Sequence, residues 1–288
     1  MKNSFFSFKM LLVPIVVAVI ASFFLVTGYQ GCPSIPLYSM VRMHLHPLLS
    51  LRLRWNVSGI EDLDPNYLSP LQIAVNQNCL TCADLLLKAG ASSTVPISPA
   101  HKHGYFPVHL AATRGNWEMI QLLASAGASL EATDTYHCTP LFYAVRFRFE
   151  GLVEHLLKMG ANPNHRSGCG WKPIHWAALQ GMDSAVPALV RAGAVVKEPV
   201  RAQIVMEKFA IPRGQQIGVL KMSCWPDLQG TSPPSVFTIE LFNWSNAPDR
   251  VLPAMSAEEQ SPRLFTPLEL SKLLGKDTIT AYLQSHGG

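Results

Sequence analysis

Charge is scarce in this chain: Asp, Glu, Lys and Arg together make up 15% of 288 residues. Against 48% hydrophobic residues, that balance excludes a disordered or low-complexity protein, which cannot bury enough apolar surface to fold. The charges present nearly cancel, 23 basic against 19 acidic, for a net +4. A polyanion binder needs a concentrated basic face, so nucleic acid is not an expected partner. Six cysteines are too sparse for a scaffold built from disulfides. Also missing are a Gly-x-Ser-x-Gly elbow, a His-Glu-x-x-His pair and a phosphate-cradling glycine loop. The expectation is therefore no enzyme, no cofactor and no metal.

Charge is absent altogether from Met10 to Gly28, a run of 19 residues. As a helix it spans ~28 Å at ~1.5 Å per residue, close to the ~30 Å hydrocarbon core of a bilayer. Cleaved secretory signals carry shorter apolar stretches, about 7–15 residues, so an uncleaved anchor is expected. Lys2 and Lys9 precede the run and the next basic residue is Arg42. The positive-inside tendency then leaves the N-terminus in the cytoplasm and the rest of the chain outside, in a bacterium the periplasm. Two processed forms compete with the anchor. Val26-Thr27-Gly28 offers small residues for signal cleavage, and Gly31-Cys32 resembles the end of a lipoprotein box, with Tyr29 where an aliphatic residue is usual.

Proline and glycine are spaced regularly. Pro70, Pro107, Pro140, Pro173 and Pro267 are each followed twenty positions later by glycine: Gly90, Gly127, Gly160, Gly193 and Gly287. Random placement of 22 prolines and 19 glycines gives about 1.5 such pairs. Successive prolines stand 37, 33, 33 and 94 residues apart. Ser69, Thr139 and Thr266 are hydroxyls suited to cap a helix, and the proline after each sits at the first helical position, where its missing donor costs nothing. The glycine supplies a left-handed residue to end a second helix. One such unit cannot bury its apolar stripe alone, so stability must come from stacking.

The residues around these landmarks resemble ankyrin repeats, whose period is 33 and whose marker is Thr-Pro-Leu-His before Leu-Ala-Ala. The matches are Phe106-Pro107-Val108-His109-Leu110-Ala111-Ala112 and Lys172-Pro173-Ile174-His175-Trp176-Ala177-Ala178, with weaker ones at Ser69, Thr139 and Thr266. The resemblance implies an all-α solenoid of helix-turn-helix repeats with projecting fingers. It also implies that His109 and His175 orient the fingers through backbone hydrogen bonds. Residues 1–28 are read as signal or anchor, 29–64 as linker and N-terminal cap, 65–196 as repeats one to four, and 263–288 as a fifth repeat.

The 94-residue step is 61 residues longer than one period, too long for a structureless loop in a compact array. Within 197–262, Gln216–Ser223 and Ser235–Phe242 are β-rich runs, so an inserted β-hairpin on the finger side is expected, with a disordered loop as the competing reading. His101, Lys102 and His103 fall in a four-residue extension before repeat two and have no carboxylate or thiol at ligand spacing. Cys79-x-x-Cys82 has the spacing of a zinc or redox motif, but no second pair completes four ligands, which favours small buried packing residues. Cys138 and Cys169 lie on adjacent fingers, where a disulfide is conceivable.

Ankyrin arrays bind proteins along the face made by finger tips and first-helix ends. Carried over by position, that face here holds Tyr105, Tyr136 and Trp171 on the fingers, with Arg114, Arg146 and Phe147 at the helix ends. Tyr, Trp and Arg dominate binding hot spots. Repeat three departs from the pattern, with His137 and Arg148 where glycine is usual. The competing reading packs these aromatics beneath the insertion. The function expected is protein binding at or beyond a membrane, its sharpest form being an exported immunity protein that occludes a secreted toxin. An envelope scaffold or chaperone-like adaptor is the alternative, and a small enzymatic function within 197–262 a second.

Overall fold

The computed structural model describes residues 35–97, 104–211, 215–224, 235–243 and 263–287. The expected anchor at residues 10–28, both processing sites and His101-Lys102-His103 lie outside the described residues. Among those described, no helix is long and apolar enough to cross a membrane. The chain forms two compact units that divide between Ser92 and Ser93.

The first unit holds α1 (Leu37–Arg42), α2 (His46–Trp55), α3 (Pro70–Asn76) and α4 (Leu80–Lys88). Ser69 starts α3 with a reciprocal cap. Its hydroxyl accepts from the Gln72 N–H at 3.3 Å, while the Gln72 side chain accepts from the Ser69 N–H at 2.9 Å. Helix α1 packs on α3, and α2 packs on α4. Residues 37–55 are thus a helix pair stacked as one repeat stacks on the next, burying Leu37, Val41, Leu49 and Leu53, although no proline–glycine landmark marks them. Asp64 shapes the following finger by accepting from the N–H groups of Asn66 and Leu68, both at 2.8 Å, and it is ion-paired to Arg42.

The second unit contains three consecutive helix pairs: α5 (Pro107–Thr113) with α6 (Trp117–Ser125), α7 (Pro140–Arg146) with α8 (Glu150–Lys158), and α9 (Pro173–Gln180) with α10 (Ala185–Arg191). Four strands follow, β1 (Val200–Ile211), β2 (Gln215–Cys224), β3 (Ser235–Asn243) and β4 (Arg263–Phe265), and then a last pair, α11 (Pro267–Leu273) and α12 (Asp277–Ser285). Inner helices α5, α7, α9 and α11 pack in succession, and α8 packs between α6 and α10 on the outer layer. The contact of α9 with α11 carries the stack past the insertion. Gly115 shows why glycine ends an inner helix: its φ is +71°, and a Cβ there would lie 2.7 Å from the Phe149 ring of the next repeat.

The insertion grows from a finger. The first residues of β1 pair with β4 as Val200↔Phe265, Arg201↔Leu264 and Ala202↔Arg263, and Val200 and Phe265 are buried. Beyond that stem the chain runs on into an antiparallel sheet of order β3-β2-β1-β4. The two β-rich runs of the sequence fall within β2 and β3. The fold is nevertheless not all-α, and its sheet is larger than the expected hairpin. Strand β1 escaped notice because Ala202, Gln203, Met206, Glu207 and Lys208 are types that favour helix in isolation. Its partners on both sides decide its conformation.

Candidate functional site: the finger and inner-helix face

The face in the second unit rests on two histidines that tie fingers together. His109 accepts from the Phe106 N–H at its Nδ1 (3.2 Å) and donates from Nε2 to the Cys138 carbonyl (3.0 Å). His175 does the same with the Lys172 N–H (3.1 Å) and the Glu198 carbonyl (2.8 Å). Each imidazole thus joins its own helix start to the next finger. Burial lowers both pKa values, that of His175 to about 3 with help from the Lys172 charge. Both rings are neutral structural links.

Asp134 locks the third finger to its inner helix. One carboxylate oxygen accepts from the N–H groups of Tyr136 (2.9 Å) and Cys138 (2.8 Å), and the other accepts from the Tyr143 hydroxyl. Burial and that bond raise the Tyr143 pKa, and burial raises that of Tyr105. Tyr105 meets Tyr143 edge-on at 5.2 Å, Tyr143 stacks on Phe147 at 6.3 Å, and Phe147 lies 6.4 Å from Phe149. Next to this row, the Arg146 guanidinium sits 5.8 Å from the Trp176 ring centroid, within cation–π range. Gln180 bridges two repeats at the helix ends, its side-chain Nε2 donating to the Arg146 carbonyl (2.9 Å) and its backbone carbonyl accepting from Arg148 Nη1 (2.5 Å).

Five of the six expected binding residues are at least partly open at the protein surface. Tyr136 is 40% and Phe147 46% exposed, Arg114 is exposed, and Tyr105 and Arg146 are half-buried. Trp171 is not. The side chain is fully buried, lying 5.4 Å from Trp176 and 5.9 Å from His175. Its carbonyl accepts from the Ser167 N–H at 2.8 Å. Trp171 is therefore core of its own repeat, and its buried indole N–H has no hydrogen-bond partner among the described residues. Sequence reasoning passed over Tyr143, Phe149 and Trp176 as contributors. Arg148 carried a signal, since it stands where the neighbouring repeats have Gly115 and Gly181.

Of the described cysteines, only the Cys79–Cys82 pair departs from expectation. Cys138 and Cys169 are buried thiols and are not joined to each other, and burial, then the Asp134 charge, raises the Cys138 pKa. In the first unit Cys79 and Cys82 are joined as a disulfide across the first turn of α4, so they are more than packing residues. The missing second pair is present too. His46 Nδ1 lies 3.8 Å from the Cys79 sulfur and 3.3 Å from that of Cys82. His44 completes a group whose ligand atoms all lie within 4.8 Å of one another.

With this geometry in place, the known proteins that the chain resembles can be compared. A family described as "Ankyrin repeats (3 copies)" matches residues 95–167. The bovine ankyrin repeat and SOCS box protein 3 is 36% identical over 126 residues, 43% of this chain and 24% of that protein. The mouse B-cell lymphoma 3 protein homolog is 30% identical over 133 residues, 46% of this chain and 30% of its own. A Schizosaccharomyces pombe protein named glycerophosphocholine phosphodiesterase gde1 is 30% identical over 171 residues, only 15% of its length. The chain thus spans less than a third of each of these relatives. A crystal structure of an ankyrin repeat domain from Acinetobacter baumannii superposes with a TM-score of 0.59 at 19% identity, covering 87% of this chain and 97% of that one. Residues 95–167 carry ankyrin repeats, and the helical ankyrin-repeat fold is shared with the Acinetobacter baumannii domain. Such repeats are protein-interaction modules.

Proposed function

We propose that this chain is a non-enzymatic protein-binding module that works outside the cytoplasm, held at a membrane through residues 10–28 or through lipid on Cys32. Its partner in this reading is a secreted toxin met in the bacterial periplasm, and it acts by covering the toxin's active site. The observation that carries the binding part is exposed Phe147 beside Arg146, itself held over Trp176, with Tyr136 exposed on the finger of the same repeat. Aromatic and arginine side chains on a rigid base have the composition of a binding hot spot. Their supports are already ordered by Asp134, His109 and Gln180, so little conformational entropy is lost on binding. The location rests on the uncharged run from Met10 to Gly28 and on Lys2 and Lys9 before it.

Both parts can be tested in the host cell. Crosslinking from intact membranes should capture a partner with the wild-type chain, and Phe147→Ala and Arg146→Ala should each weaken it by ~1–4 kcal/mol. Unchanged capture by both variants moves the binding surface elsewhere. A C-terminal reporter that is active only in the cytosol overturns the location. A captured partner with no toxic activity when expressed alone overturns the immunity reading and leaves the adaptor.

A further inference from the structure

We propose that His44, His46, Cys79 and Cys82 bind one zinc-class divalent cation whenever the two cysteines are reduced. The group lies wholly within the first unit and plays no part in the protein-binding face. Two sulfurs and two imidazole nitrogens are the donor set that tetrahedral zinc takes. With Zn–S near ~2.3 Å and Zn–N near ~2.0–2.1 Å, a tetrahedral site has sulfur–nitrogen edges of about 3.6 Å. The separations from His46 Nδ1 to the sulfurs, 3.3 and 3.8 Å, lie on either side of that value. The Cα atoms of Cys79 and Cys82 stand 5.4 Å apart, so the two sulfurs converge from one turn of chain.

The fold places these groups for reasons that do not depend on a metal. Cys79 is the N-cap of α4, and its sulfur accepts from the Cys82 N–H at 3.2 Å. A helix N-terminus favours the thiolate form that a cation needs. Helix α2 packs on α4, which brings His46, in its first turn, against the cysteines. His44 precedes it in a left-handed conformation, φ +55°. The chain there is held by bonds from His44 N–H to the Val41 carbonyl and from Leu45 N–H to that of Met40, both at 3.0 Å. A non-glycine residue in that conformation is uncommon, and here it turns the His44 ring toward the group.

The disulfide and the metal exclude each other, because sulfurs bonded together cannot both be thiolate ligands. Opening the disulfide takes two electrons and two protons from a reductant such as a phosphine and water, giving two thiols and the phosphine oxide. Zinc then displaces both thiol protons, and two thiolates balance its charge beside two neutral imidazoles. Hydrogen peroxide reverses this: with two protons it takes two electrons from the thiolates, forming the disulfide and two waters and releasing the cation. Occupancy therefore follows the redox state of the surroundings.

The test uses the full chain in detergent, reduced with a non-chelating phosphine and titrated with zinc or cobalt(II). One ion should bind per chain, and the cobalt form should show sulfur-to-metal charge transfer with the strong visible bands of a tetrahedral site. His44→Ala leaves the packing in place, since His44 is exposed, and should weaken binding at least roughly tenfold with unchanged circular dichroism. Cys82→Ser removes one of the two sulfur ligands and should lower the charge-transfer intensity by about half or more, and peroxide should release the ion from the wild type. A reduced, folded chain that binds neither metal overturns the proposal. So does cobalt bound without a charge-transfer band, or with an affinity that His44→Ala does not change.

Discussion

His175 and Glu198 are joined by a 2.8 Å hydrogen bond from the imidazole Nε2 to a backbone carbonyl across the seam between repeat four and the finger that bears the sheet. The ring can make this bond and accept from the Lys172 N–H only while neutral, and burial holds its pKa down to about 3. The unfolded chain takes up a proton near pH ~6.5, which the folded chain refuses until close to pH 3. Stability is therefore full above pH ~6.5 and declines as pH falls, by up to about 1.4 kcal/mol per pH unit from this group. Repeat one already has Gln72 at the equivalent position, where it makes the helix-start bond. His175→Gln should cost ~1–2 kcal/mol at pH 7 through the lost link to Glu198. Denaturant unfolding of the variant should then change less with pH between 7 and 4.5 than that of the wild type. A parallel pair of pH profiles refutes this.

Trp171 and Phe147 should separate under the same substitution. Trp171→Ala removes a fully buried ring wedged against Trp176, and truncations of that size cost ~3–5 kcal/mol. Phe147 is 46% exposed, so Phe147→Ala should change stability by less than about 1 kcal/mol. Denaturant midpoints of the two variants measure the difference, and equal losses would mean that Phe147 is a core residue.

Which features were legible follows from what fixes them. The repeat spacing was readable because proline at a helix start and glycine at a helix end are demanded by backbone geometry, which the residue alone determines. The roles of His109 and His175 were implied by the resemblance to ankyrin repeats and not by local geometry, since the bonds that tie each ring to the next finger cross 29 and 23 residues. Trp171 was misplaced because nothing local distinguishes a finger aromatic facing solvent from one facing Trp176. The histidine pair was missed because His44 and His46 lie 33 or more residues before Cys79, in a segment without the landmarks. Only the stacking of α2 on α4 brings the two pairs together.

His137 occupies a finger position where Gly104 and Gly170 stand in the neighbouring repeats, and all three have positive φ, +53°, +55° and +77°. A side chain in this region costs ~1–2 kcal/mol. The bonds His137 makes through its backbone, its N–H to the Asp134 carbonyl and its carbonyl to His165 Nε2, survive loss of its ring. His137→Gly should therefore raise stability by about 0.5–1 kcal/mol, less than the full strain because glycine is freer when unfolded. A thermal melt reads this as a higher midpoint. A lower one would mean that the imidazole itself holds the finger.

The sheet should be dispensable for folding of the repeats. Its attachment is the short ladder from Val200↔Phe265 to Ala202↔Arg263, while α9 packs directly on α11. Replacing residues 203–262 with Asn-Gly joins Ala202 to Arg263 through the two-residue turn preferred by antiparallel strands. Val200 and Phe265 stay buried in the stem, and the Glu198 carbonyl stays within reach of His175. The shortened chain should keep its helical circular dichroism and unfold cooperatively, within a few degrees of the parent. If α11 and α12 instead become open to proteolysis while the earlier repeats resist, then the sheet, and not the α9–α11 seam, holds the last repeat in place.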